Sequence, residues 1–354
     1  MQKKPRKLHG GDIYRHPDVI DFSVNTNPLG TPESVKRAVQ ESVAKIEHYP
    51  DVRCEALREA ISRFEQGNME EILCGNGAAE LFFAAVQAVW PQKALVIAPS
   101  FSEYEEAILS VNGEIKYYKL KEKNNFEIDN EFIDNIKDDI DVVFICNPNN
   151  PTGVLTTNQF IIKVLKKALI TNTIIVIDES FLDFMETNNE YSSKGLLNYY
   201  DNLIVVKSLT KFFAIPGARI GYGLCKNNVL INEINKVTVP WSINIIAADA
   251  IIQGLKEKDY INNSIKYVKD EKEYLYGALK EIQVLKVLKP SVNFIMFKLL
   301  IDLDLKGELI KRKILIRSCS NYIGLNENFY RIAVRTSEEN KIIINEIRNI
   351  LFDK

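Results

Sequence analysis

Short runs dominated by Val and Ile recur along this chain, each followed by a stretch of helical period, and that alternation limits the fold more than any other feature. The runs are 72–74, 94–98, 142–146, 174–177 and 203–206. Apolar on both faces, they read as buried strands of a mostly parallel sheet. Helical patterns at 78–89, 104–111 and 158–169 fall between them. Alternating strands and helices predict a three-layer α/β unit over residues 45–235. Beyond it, residues 247–281 carry acids and bases at helical spacing and read as one long helical stretch with a solvated face. Segments 293–298, 314–317 and 330–335 then alternate like half-buried strands, and 338–351 closes as a helix. The expectation is a second, smaller α+β unit over 236–354, completed by an N-terminal arm over 1–44.

A length of 354 residues with 46% hydrophobic and 26% charged side chains suits about two domains with a substantial core. Lys plus Arg number 45 against 47 for Asp plus Glu, a net charge of -2 that leaves no electrostatic footprint for nucleic acid or an anionic membrane. A small molecule is the expected partner. Five cysteines without a CxxC pair, and only three histidines, suggest reduced thiols with neither a disulfide framework nor a bound metal. Lys3, Lys4, Arg6 and Lys7 precede the polar His9-Gly10-Gly11-Asp12 where a signal peptide needs an apolar run, and no segment reaches the ~20 apolar residues of a membrane span. A soluble cytoplasmic protein is expected.

The chemistry-bearing residues follow the strands. Ser208-Leu209-Thr210-Lys211 succeeds the run 203–206, and a lysine among aromatics at a strand's carboxyl end can lose its charge and become nucleophilic toward an aldehyde cofactor, of which pyridoxal phosphate is the usual one. Ser208 and Arg219 are placed to hold a phosphate; a plain surface lysine is the alternative. Run 174–177 ends in Asp178-Glu179-Ser180, an acid where α/β ligands bind and a partner for a pyridine nitrogen, or else a helix cap. Run 142–146 ends in Asn147-Pro148-Asn149-Asn150-Pro151-Thr152-Gly153, whose prolines fix a loop from which an amide reaches a ring oxygen. Gly75-Asn76-Gly77-Ala78 opens a helix whose free N–H groups can cradle a phosphate. A dinucleotide fingerprint is disfavoured there, because Glu80 stands at the third glycine and no acid ends the next strand.

With these motifs the sequence resembles the fold-type I pyridoxal-phosphate enzymes, in the branch of histidinol-phosphate aminotransferases and threonine-phosphate decarboxylases, over nearly its whole length. The resemblance implies an aspartate aminotransferase-like fold and a homodimer with shared sites. It makes Lys211 the Schiff-base lysine, Asp178 the pyridine-nitrogen partner and Asn150 the amide near the ring hydroxyl. Gly77, Ala78, Ser208 and Arg219 would bind the cofactor phosphate. Tyr104, in Pro99-Ser100-Phe101-Ser102-Glu103-Tyr104, would stack on the ring, and Tyr49 would reach across the dimer. Arg331 falls where the family binds a substrate anion.

Within the branch, His9-Gly10-Gly11, the segment 21–30, Val239-Pro240-Trp241-Ser242-Ile243-Asn244 and Ile316-Arg317-Ser318-Cys319-Ser320-Asn321-Tyr322 look more like the cobalamin-pathway decarboxylase. So does Phe181, where the histidine-pathway transaminases usually have tyrosine. Arg317, Arg331 and Arg335 offer three forks for a phosphate and a carboxylate, as O-phospho-threonine or O-phosphoserine needs, with His9 beside them. Arg335 has the alternative of pairing with a surface acid. The expected reaction is decarboxylation of such a phospho-amino acid, with histidinol-phosphate transamination as the alternative. A cofactor-sensing regulator is disfavoured, since only about 45 residues, without net basic character, precede the large unit; sugar transamination leaves the arginines without a use.

Overall fold

The computed structural model describes residues 9–186 and 190–352; the basic residues Lys3, Lys4, Arg6 and Lys7 lie outside the described residues. Strand β1 is Ile20–Asp21, followed by β2 (Ile72–Gly75), β3 (Lys93–Ala98), β4 (Glu114–Lys119), β5 (Val142–Cys146), β6 (Ile174–Asp178), β7 (Leu203–Lys207) and β8 (Gly221–Cys225). Strands β2 to β8 form a seven-stranded sheet in the order β2-β8-β7-β6-β5-β3-β4. Pairings among β3, β4, β5, β6 and β7 are parallel, whereas β8 runs antiparallel to both β7 and β2. The carboxyl ends of β2, β3, β5, β6 and β7 therefore share one edge.

The apolar runs separate by period two onto two cores. Val143, Ile145, Ile175, Ile177, Leu203 and Val205 pack on one face, and Val142, Phe144, Val176, Ile204 and Val206 on the other. That explains why these strands carry no polar alternation. Two strands have no such signature: β4 is an edge strand with charged residues among its six, and β8 contains two glycines.

Helix α1 (Glu33–Ser42), helix α2 (Glu55–Glu65) and helix α3 (Ala78–Val89) flank the sheet or its extension. Residues 247–281 are two helices rather than one stretch. Ile245–Gly254 starts on Asn244, whose side chain accepts from the Ala247 N–H, and buries Ala247, Ala250 and Ile251 in the first core, packed against α1 and α2. A Cβ at Gly254 would come within 3.1 Å of the Phe213 ring, and the chain turns there. Only the second helix, Lys258–Lys280, has the solvated face, with Ser264, Val268, Leu275 and Leu279 turned inward.

In the C-terminal part, β9 (Leu285–Val287), β10 (Phe294–Leu299), β12 (Arg317–Ser318) and β13 (Phe329–Ala333) form a four-stranded sheet ordered β12-β13-β10-β9. Segment 314–317 is not one strand: β11 (Ile314–Leu315) pairs in parallel with β1, and the chain switches sheets at the buried Ile316. The helix Ser337–Phe352 covers this unit with Ile343 and Ile347 against Ile295, Phe297 and Phe22.

Candidate active site

Gly77, Asn150, Asp178 and Ser208 all lie where a strand of the large sheet reaches the shared carboxyl edge. Asp178 is the last residue of β6; one carboxylate oxygen accepts from the Ser180 N–H at 2.9 Å and the other from the Tyr104 hydroxyl at 2.5 Å. After β7, Ser208 accepts from Lys211 Nζ at 2.9 Å and exchanges a hydroxyl contact of 2.9 Å with Thr210. Burial pushes the Lys211 ammonium down to about 8; the Asp178 carboxylate opposes the fall and the Arg219 charge adds to it. The Phe181 ring lies 6.0 Å from Nζ and packs edge-on against Phe294.

After β2 the chain turns through Gly77, whose φ of 84° favours glycine and which directly precedes α3. A Cβ there would sit 2.5 Å from Arg219 Nη2, so the glycine keeps a cradle open between the α3 N–H groups and the guanidinium. After β5, Asn150 accepts on Oδ1 from Arg331 Nη1 at 2.5 Å, a contact spanning the two sheets. Asn149 ties the same loop to the Pro99 carbonyl at 3.0 Å and accepts from the Ser100 hydroxyl.

Two of the three expected arginines come together with this edge. Arg331, 5% exposed, also donates to the Ser23 carbonyl at 2.8 Å, while its Nε is buried with no partner among the described residues. Arg317, 8% exposed, donates to Asn321 Oδ1 at 2.7 Å and lies over the Tyr322 ring. Arg335 is engaged elsewhere: Nε and Nη2 both grip Glu339, at 3.0 and 2.8 Å, at the start of the last helix. The expected third fork is thus taken by an acid in the first turn of the last helix, which starts two residues after Arg335. His9 pairs with Glu103 at 3.0 Å beside the Phe101 ring, which lines a small cavity with Arg317 and Tyr322. Tyr104 is fully enclosed, its ring parallel to Phe144. Tyr49 is 83% exposed and packs against the half-exposed Trp241.

Other residues gathered here escape a reading by motif. Asn25 and Asn293 each bury a side-chain oxygen without a partner among the described residues, and Asn293 holds the Asn25 carbonyl at 3.0 Å. Beneath the lysine loop, Lys207 pairs with Glu65 at 3.0 Å and Asp183 at 2.7 Å; Lys194 reaches Glu65 at 3.0 Å, and the Tyr222 hydroxyl donates to the same carboxylate. Burial works against the Glu65 charge, but Lys207, Tyr222 and Lys194 outweigh it and hold the carboxyl at about 2. Glu179, fully buried and bonded to the Ser193 N–H and the Ser192 hydroxyl, is pushed up to about 7 by its burial.

A lysine amine held near neutrality calls for a carbonyl partner, and an open cradle of N–H groups with a guanidinium calls for a phosphate. The residues present therefore fit pyridoxal phosphate, and the fold and site together define a pyridoxal-phosphate enzyme of the aspartate aminotransferase fold. The chain belongs to the aminotransferase class I and II family, whose model matches residues 17–347. That family depends on pyridoxal phosphate. The threonine-phosphate decarboxylase of Salmonella typhimurium is 33% identical over 97% of this chain and 96% of its own length. Among solved structures, the histidinol-phosphate aminotransferase from Clostridium acetobutylicum superposes with a TM-score of 0.88 at 33% identity, covering 94% of this chain and 99% of that one. The L-threonine-O-3-phosphate decarboxylase from Porphyromonas gingivalis gives 0.83 at 26% identity, with 94% and 99% covered. No helix among the described residues is long and apolar enough to cross a membrane.

Proposed function

We propose that this enzyme removes carbon dioxide from a phosphorylated amino acid, L-threonine O-3-phosphate or O-phosphoserine, in the cytoplasm, as cobalamin biosynthesis requires. The observation that carries this reading is the pair of buried arginines, Arg317 and Arg331, with an unpartnered Nε on Arg331. Two separate forks suit a substrate with two anionic groups.

Bound pyridoxal phosphate supplies the electron sink for cleavage at the substrate α-carbon. Gly77, Ala78, Ser208 and Arg219 would hold its phosphate, Lys211 would be the amine for its aldehyde, Asp178 would keep a proton on the pyridine nitrogen and Asn150 would bond the ring oxygen. Tyr104, through its hydroxyl on Asp178, fixes that carboxylate and lies against the ring site. Arg331 and Arg317 would divide the substrate's carboxylate and phosphate between them, which would orient the substrate for loss of the carboxylate. His9 closes the phosphate side. Arg335 has no part in this assignment, since its guanidinium is occupied by Glu339. The chain divides into a large unit over 45–235 and a smaller one over 236–354 joined by 1–44. Two copies pair through the exposed Tyr49 and Trp241, so that Tyr49 completes its partner's phosphate site.

The similarity to the Clostridium acetobutylicum protein favours a second reading, transamination of histidinol phosphate. One assay separates the two. The loaded enzyme is given O-phospho-L-threonine, O-phosphoserine, or histidinol phosphate with 2-oxoglutarate, and carbon dioxide and glutamate are measured. Carbon dioxide from a phospho-amino acid is the expected result; glutamate from histidinol phosphate without carbon dioxide release selects the second reading.

A further inference from the structure

Gly10 lies closer to the backbone of Ser23 than a residue with a Cβ can: that atom would stand 2.2 Å from the Ser23 carbonyl oxygen and 2.9 Å from its carbon. The next residue reinforces the contact, since the Gly11 N–H donates to Ser23 Oγ at 2.7 Å. Ser23 is also clamped from within its own segment. Its N–H and its hydroxyl both donate to Asp21 Oδ1, at 2.8 and 2.6 Å. Phe22, just before it, donates its N–H to the Leu315 carbonyl and accepts from the Ala333 N–H, both at 2.8 Å.

These bonds fix the direction of one carbonyl, and that carbonyl accepts from Arg331 Nη2 at 2.8 Å. The guanidinium is thereby held at three places: Nη2 by Ser23, Nη1 by Asn150 in the loop after β5, and its face by the Phe294 ring, whose centroid is 5.5 Å away. Its Nε stays buried without a partner among the described residues. The five N–H donors of an arginine share one rigid plane, so releasing one edge re-aims the others.

We infer that Ser23 and Gly10 are positioning residues for substrate binding: the close approach of Gly10 keeps the Ser23 carbonyl on Arg331, which keeps Nε aimed at a substrate anion. The inference rests on Arg331 being the substrate-anion fork, as proposed above. It gives the two glycines after His9 a part in substrate recognition without any contact with substrate. A side chain at residue 10 has to displace either the arm or the Ser23 peptide, and in both cases Ser23 loses a constraint.

The test measures KM and kcat of the loaded enzyme and of its Gly10→Ala and Ser23→Ala variants, with whichever of O-phospho-L-threonine, O-phosphoserine or histidinol phosphate the unaltered enzyme turns over. Gly10→Ala should raise KM about tenfold or more, the factor for one hydrogen bond to a charged group, while kcat changes by less than about threefold and the visible absorbance of the bound cofactor is kept. Ser23→Ala removes the hydroxyl without adding bulk and should raise KM in the same direction. In an Arg331→Ala background, Gly10→Ala should cause no further loss of kcat/KM, because both substitutions break one chain of contacts. Additive losses in that double variant would overturn the inference. So would a KM unchanged in both Gly10→Ala and Ser23→Ala, with Arg331→Ala damaging, which rejects the role of the two residues and spares the fork. Indifference of kcat/KM to Arg331→Ala itself rejects the fork and this inference with it.

Discussion

Replacing Lys207 with methionine tests the buried charge cluster under the lysine loop. Its ammonium lies 3.0 Å from Glu65 and 2.7 Å from Asp183, and the side chains of all three are largely or fully enclosed. Holding the Glu65 carboxyl at about 2 instead of 4.5 corresponds to roughly 3 kcal/mol of stability at neutral pH, with Lys207 the largest favourable contribution. Lys207→Met leaves two carboxylates beside the single cation of Lys194, and breaking a buried pair costs about 3–5 kcal/mol. Because the Glu65 carboxyl is depressed in the folded state, its contribution is complete above 4.5 and disappears as the pH falls toward 2. The deficit of the variant should therefore be largest at neutral pH and shrink in acid as the stranded carboxylates protonate. Urea unfolding followed by circular dichroism at neutral pH and near pH 4 measures both quantities. Adding Glu65→Gln and Asp183→Asn to Lys207→Met should recover part of the neutral-pH loss. A deficit below about 1 kcal/mol, or one identical at the two pH values, refutes this account of the cluster.

Lys211→Ala should yield protein without the yellow colour of the bound cofactor and without a borohydride-reducible adduct, read by absorbance and by mass after reduction. Arg331→Ala should lower kcat/KM for the phospho-amino acid by an amount equivalent to roughly 2–5 kcal/mol, whereas Arg335→Ala, which breaks only the Glu339 pair, should change it by under tenfold. Glu179 titrates near 7 when folded and near 4.5 when unfolded, so between these values the folded state binds the extra proton and stability falls as pH rises, by up to roughly 3 kcal/mol. Glu179→Gln keeps the acceptor for the Ser193 N–H and should flatten that slope in pH-dependent melting.

The parts of this molecule that could be read from sequence are those whose cause is local. Five apolar runs end in Gly75, Pro99, Asn147, Asp178 and Ser208, and parallel pairing brings those ends to one edge whatever their separation in the chain. The polar edge strand β4 and the glycine-bearing β8 give no local signal, and residues 247–281 merge two helices because the buried apolar part and the charged part share one period. Contacts made at long range were invisible: Lys207 meets Glu65 across 142 positions and Arg331 meets Asn150 across 181. Arg335 shows the converse, since its partner Glu339 stood only four residues away, in the first turn of the helix that follows it.

Strand β1 pairs Ile20 with Ile314 and Asp21 with Leu315, and Phe22, next in line, lies at 0% exposure among residues of the C-terminal unit. During synthesis at ~5–20 residues per second, Ile20 emerges on the order of 15–60 s before Ile314 exists. The seven strands of the large sheet, by contrast, are all made by Cys225. All strands of the sheet are therefore made while the arm that precedes them still lacks its partner, and Phe22 waits for the core residues from Leu275 onward that enclose it. A chaperone that recognises short apolar segments would find its target at the beginning of this chain, long after that segment was made.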